Sequence, residues 1–163
     1  MTINSAEIEQ RVERAQDLFK QGFNCSQSVF AACADLFDVN DEQLALRLAA
    51  SFGGGIGRMR QTCGAACGMF LLEGLHSGSA TAGDAQGKGA NYARVQALAQ
   101  SFKDENGSII CAELLGLSKP NTTHTDTQFT DTTPAPRTDE YYKKRPCVDM
   151  VASAVRIFLQ SLN

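Results

Sequence analysis

The apolar residues of this chain recur every third or fourth position and nowhere alternate over the length of a strand. That period belongs to helices with one buried face, so each segment needs another helix to cover it. Ile8, Val12, Ala15, Leu18 and Phe19 set the pattern between Ala6 and Lys20, with Ser5 as the expected N-cap and Gly22 as the stop. A helix from Cys25 to Leu36 is expected behind Asn24, and a short one after Asp41 through Leu44 and Leu48. Thr62 is placed to cap a helix from Cys63 to His76, which Ser77-Gly78 ends. Tyr92 to Lys103 and a short segment after Ser108 repeat the period. Pro146 then opens a last helix from Cys147 to Leu159, where proline's missing N–H is not needed. The expectation is an all-α, single-domain bundle of about seven helices. Gly53 to Gly57 interrupt it as a glycine-rich connection, and Gly78 to Gly89 as a small-residue loop. Residues 118–145 lose the period, fill with Thr, Asp and Pro, and are expected to form one long polar loop.

With 163 residues the chain can bury a self-sufficient core, so disulfides are not needed to hold it together. A net charge of −3 argues against nucleic acid as a partner. No apolar run approaches the roughly 20 residues that span a bilayer. The first ten residues lack a basic stretch followed by an apolar one, so the expected location is cytoplasmic. In such a reducing compartment, six cysteines suit redox chemistry or metal binding better than a static framework.

Four of those cysteines fall at expected helix N-termini: Cys25 after Asn24, Cys63 after Thr62, Cys111 just beyond Ser108, and Cys147 after Pro146. Free N–H groups and the positive end of the helix dipole favour an anion there, which biases each thiol toward thiolate. Cys33 shares an apolar face with Val29 and Phe37 and reads as core. Cys67 lies one turn beyond Cys63 on the same face, so it is either core or a further metal ligand. Gly64, Ala65 and Gly68 leave a bare helix surface on which a neighbour can lie.

Taken together, Asn24-Cys25-Ser26-Gln27-Ser28-Val29, Phe52-Gly53-Gly54-Gly55, Cys63-Gly64-Ala65 with Gly68, Gly107-Ser108-Ile109 before Cys111, and Cys147 at the last helix resemble the C_GCAxxG_C_C family. The resemblance runs from about residue 10 to residue 160. It implies a redox-active protein whose four signature cysteines are Cys25, Cys63, Cys111 and Cys147, the same four that helix ends single out. Cys33 and Cys67 lie outside the signature.

Competing patterns are absent. The glycine run lacks the Gly-Lys-Ser/Thr of a phosphate loop and the strand of a dinucleotide fold, and there is no C-x-x-C unit for zinc, haem or thioredoxin-type chemistry. His76 is expected at a helix end and His124 in solvent. Three readings stand. The first is a thiol–disulfide oxidoreductase-like protein, needing no cofactor, that works with an unidentified redox partner through Cys25, Cys63, Cys111 and Cys147. The second is an iron–sulfur or other soft-metal protein with those four as ligands and Cys67 as a possible fifth. The third is a helical interaction module with incidental cysteines. An oligomer is compatible with each. Among the thiols Cys147 is expected to be the most nucleophilic, since Lys143, Lys144 and Arg145 precede it, with Asp139, Glu140 and Asp149 opposing.

Overall fold

A computed structural model describes residues 1–118 and 129–163. The protein is all-α, with eight α-helices and no strand among the described residues. In chain order they are α1 (Ser5–Lys20), α2 (Cys25–Cys33), α3 (Glu42–Ala49), α4 (Gly64–Ser77), α5 (Ala85–Asn106), α6 (Cys111–Leu114), α7 (Asp139–Lys144) and α8 (Cys147–Gln160). Two short 3₁₀ segments, Ala34–Phe37 and Ala50–Phe52, continue α2 and α3.

The core is the meeting of α1, α2, α4 and α8. Phe19 from α1, Val29 and Phe30 from α2, Met69 and Leu72 from α4, and Val151, Val155 and Phe158 from α8 are all buried. The stripe on α1 is the one the apolar spacing predicts. The contact between α2 and α4 is closer than large side chains allow. A Cβ added at Gly68 would stand 2.8 Å from Val29 Cβ and 2.9 Å from the Ser26 carbonyl, so the bare surface of α4 is where α2 lies.

On α5, Leu98 and Phe102 are the buried residues, and an ion pair supplements them. Glu73 of α4 is 0% exposed and accepts from Arg94 Nε at 2.6 Å and Nη2 at 3.1 Å. Removing Arg94 would cost about 3–5 kcal/mol, because the Glu73 charge would be left buried.

Several boundaries differ from the sequence expectation. Helix α1 is capped by Asn4, which accepts from the Glu7 N–H, rather than by Ser5. Helix α5 begins at Ala85 behind the Asp84 cap, so the second half of the small-residue stretch is helical despite Gly87 and Gly89. Helix α2 tightens to 3₁₀ at Ala34 and ends at Asp38 with φ 65°. The expected long polar loop contains α7, capped by Thr138, which brings the helices to eight. Ser108 does not cap α6 directly; its hydroxyl accepts from the Ile110 N–H and bonds the Glu113 carboxylate. The expectation for His124 falls outside the described residues, and His76 ends α4 with its ring beside Phe37.

The glycine connection winds left-handed. Gly54, Gly55, Ile56, Gly57 and Arg58 have φ between 55° and 74°, and Arg60 has φ 60°. A non-glycine residue pays about 1–2 kcal/mol for that conformation, a cost that Gly54, Gly55 and Gly57 avoid. Bonds from Gly57 N–H to Ser51 O (2.7 Å), Arg60 N–H to Gly54 O (3.2 Å) and Gln61 N–H to Gly55 O (3.0 Å) close the turn.

Candidate functional site

The left-handed turn ends where four cysteines converge. Cys25, Cys63, Cys111 and Cys147 all line one cavity of about 360 Å³. Each is delivered by a different local device. Cys25 is the first residue of α2, fixed by a capping box in which the Asn24 and Gln27 backbone N–H groups each donate to the other's side-chain oxygen at 3.0 Å. Asn24 Nδ2 also donates to the Ala50 carbonyl at 2.8 Å, tying that helix end to the segment before the glycine turn. Cys63 is itself the N-cap residue of α4, in place of Thr62. Thr62 instead forms an isolated antiparallel bridge with Ile110. Through it Cys63 N–H donates to Ile109 O and Cys111 N–H to Gln61 O, both at 2.7 Å, so Cys63 and Cys111 are held side by side. Cys147 opens α8 behind Pro146.

Glycines make the convergence possible. A Cβ at Gly55 would lie 2.6 Å from Cys111 Cβ and 2.8 Å from Arg60 Cα. One at Gly64 would lie 3.2 Å from Cys25 Cβ and 3.0 Å from Phe52 O. Both positions exclude a side chain so that a cysteine can come close.

All six cysteines are free thiols. Their acidities differ sharply. Cys147 is brought down to about 7, first by its hydrogen bond with Cys25 and then, against burial, by the charges of Arg145, Arg137 and Arg60. Cys25 moves the opposite way, its proton held by the same bond and by burial. Burial pushes Cys63 up to about 12, although the Ala65 and Ala66 amides at the start of α4 favour its thiolate. Cys111 is also raised by burial, with Arg60 opposing; Arg60 Nη1 donates to its sulfur at 3.6 Å. The expected thiolate bias at all four helix ends is therefore corrected to one thiol. Desolvation exceeds what a helix end supplies to a buried sulfur.

The basic run contributes less than its sequence position suggests. Lys143 and Lys144 are exposed, and Lys144 pairs with Glu140 at 2.5 Å. Arg145 lines the cavity, joined by Arg60 from the left-handed turn and Arg137 from the stretch before α7. Arg137 Nη1 and Nη2 donate to the Phe19 and Phe23 carbonyls at 3.2 and 3.1 Å, at the C-terminal end of α1. Its guanidinium lies 4.2 Å from the Phe19 ring centre and 4.9 Å from that of Tyr141, while Arg145 lies 5.0 Å from Tyr141. Arg60 and Arg137 are site residues that sequence reasoning misses. No local pattern marks them, since 51 residues separate Arg60 from Cys111 along the chain and Arg137 lies in a polar stretch without a helical period.

Cys67 and Cys33 stand apart from the cavity lining. Cys67 is buried, its thiol 3.7 Å from the Thr62 carbonyl and pushed up to about 11 by desolvation. Cys33 is wholly buried in the core and pushed up to about 12. Among the described residues no three His, Cys, Asp or Glu side chains stand close enough together to hold a metal ion. Of the residues named for the iron–sulfur or soft-metal alternative, Cys25, Cys63, Cys111 and Cys147 share the cavity lining and Cys67 lies outside it.

The family model described as "Putative redox-active protein (C_GCAxxG_C_C)" matches residues 23–161, from just before α2 to the end of α8. The chain belongs to this family. The match takes in all four cavity cysteines, the glycine turn that seats them, and the cavity arginines Arg58, Arg60 and Arg137 that sequence alone left out. No curated protein and no solved structure shows significant similarity to the chain. Among the described residues no helix is long and apolar enough to cross a membrane.

Proposed function

We propose that this C_GCAxxG_C_C protein carries out reversible thiol–disulfide exchange, with Cys147 as the attacking thiolate and Cys25 as the resolving thiol. The observation that supports the reading is that Cys25 and Cys147 line one cavity with opposite acidities, Cys147 lowered to about 7 and Cys25 raised, each chiefly through the other. An attacking thiol works best with a pKa near the ambient pH, because thiolate fraction and nucleophilicity are then both substantial.

In the first step Cys147 Sγ attacks one sulfur of a disulfide R–S–S–R. The S–S bond breaks, the leaving RS⁻ takes a proton, and a Cys147–S–S–R mixed disulfide forms. Cys25 then loses its proton and attacks Cys147 Sγ, expelling the second RS⁻. Two cysteine thiols are oxidised to one disulfide and R–S–S–R is reduced to two RSH. Run backwards, the same steps oxidise a dithiol. Cys63 and Cys111 stay protonated at neutral pH by the directions above and do not compete for the first attack.

Peptide mass spectrometry of the reduced protein after a brief pulse of bis(2-hydroxyethyl) disulfide tests this. A Cys25–Cys147 bridge is expected, with a mixed disulfide trapped on Cys147 in Cys25→Ser and no first adduct in Cys147→Ser. First adducts on Cys33, Cys67 or Cys63, with Cys147 unmodified, would overturn the assignment.

A further inference from the structure

The charges around the cavity do not balance. Four arginines line it, Arg58, Arg60, Arg137 and Arg145, and no Asp or Glu among the described residues does, in a chain whose net charge is −3. Arg58 is matched by Asp131, at 2.7 Å. Arg60, Arg137 and Arg145 make no ion pair among the described residues; they bond the Cys111 sulfur, backbone carbonyls and the faces of aromatic rings. Arg60 is 7% exposed, so its charge is screened by little water. One Cys147 thiolate offsets one of these three cations and leaves a surplus of positive charge against a half-apolar wall of Phe19, Leu114, Tyr141 and Met150. A buried guanidinium without a carboxylate is costly, and its planar fork matches carboxylate oxygens two at a time.

We infer that the cavity selects an anionic substrate, a small carboxylate-bearing disulfide whose acid groups are held by Arg60, Arg137 and Arg145 while its sulfur meets Cys147. This rests on the exchange reading above. The chemistry is unchanged: two electrons pass from Cys25 and Cys147 to the substrate's S–S bond, and two carboxylate-bearing thiols leave. The arginines bind and orient; they take no proton.

Three disulfides of similar size separate charge from reactivity: dithiodiglycolate (anionic), bis(2-hydroxyethyl) disulfide (neutral) and cystamine (cationic). Their rates of oxidising the reduced 163-residue chain are each divided by the rate with 2-mercaptoethanol. A preference of about tenfold or more for dithiodiglycolate over cystamine is expected, shrinking in Arg145→Gln and in Arg60→Gln and partly kept in Arg145→Lys. A second measurement does not involve a disulfide. The ratio of iodoacetate to iodoacetamide alkylation at Cys147 should exceed that of a free thiol and fall in the same variants, a ratio in which any change of Cys147 acidity cancels. A flat charge series with an ordinary iodoacetate ratio would overturn anion selection and leave exchange intact. A raised iodoacetate ratio with no oxidation by any of the three disulfides would overturn the exchange reading, and with it the disulfide as occupant.

Discussion

Cys33 and Cys147 are both thiols in the reach of arginine charge, yet one is pushed up to about 12 and the other down to about 7. Near Cys33 the cations are already matched. Arg11 grips Asp35 through two bonds of 2.7 and 3.1 Å, and Arg14 reaches Glu42 at 2.9 Å. Asp35 also acts on Cys33 directly and raises it. The charges of Arg11 and Arg14 therefore do not offset the burial of a sulfur in the α2 core. Near Cys147 the arginines have no carboxylate among the described residues, and a second thiol donates a hydrogen bond. A cation makes a thiolate only where it is not already shared, and a hydrogen-bond donor at the sulfur does more than a helix end.

The largest test of that contrast is reactivity. At pH 7 about half of Cys147 and roughly one part in 10⁵ of Cys33 are thiolate, so alkylation rates should differ by on the order of 10⁴ or more. Iodoacetamide labelling resolved by peptide mass spectrometry reads the two sites in one sample. Equal rates would end the comparison.

The packing that brings Cys25 to Cys147 can be disturbed from a distance. Gly68→Leu should destabilise the protein by about 1–3 kcal/mol, because α2 has no room to retreat from α4. It should also raise the Cys147 pKa as Cys25 shifts with its helix. Urea unfolding and a labelling–pH profile measure the two effects, and an unchanged urea midpoint with an unchanged profile would show that α2 yields without cost.

Stability should follow pH in two phases. Between about pH 7 and 8.5 the unfolded chain holds a proton on Cys147 that the folded chain has released, so stability rises with pH, by up to about 2 kcal/mol for a shift of that size. That contribution is present above the unfolded value and is lost as pH falls through the folded one, near 7. Above about 8.5 the sign reverses. Cys25, Cys33, Cys63, Cys67 and Cys111, all raised in the fold, then keep protons the unfolded chain gives up. Denaturant titrations of the fully reduced protein from pH 6.5 to 9.5 should show the maximum, and Cys147→Ser should remove its rising side.

The smallest effect belongs to the other region. Asp35→Asn takes the charged partner from the two short bonds of Arg11 and removes a nearby negative charge, so Cys33 should label faster, but by less than about tenfold, since desolvation is its main cause. A larger gain would mean that charge pairing, more than burial, silences this thiol.

Much of the helical frame was legible. The stripe of Ile8, Val12, Ala15, Leu18 and Phe19 needs one buried face whatever surrounds it, and Asn24, Asp41 and Pro146 mark helix starts by chemistry that acts within one turn. Helix α7 was hidden because six residues without a buried stripe carry no period to read. The start of α5 was hidden by glycines that the Asp84 cap outweighs.

Sequence alone determined the all-α class, the family and the four cysteines that line the cavity, because caps, periods and motif order are local properties of the chain. Which of those cysteines ionises was decided by the tertiary structure. Acidity depends on desolvation and on charges a few ångström away, and the groups that decide it for Cys147 are Cys25, Arg145, Arg137 and Arg60. Of these only Arg145 is a near neighbour along the chain. The others reach the sulfur because glycines at 55, 64 and 68 let helices close in and the left-handed turn aims Arg60 at the cavity.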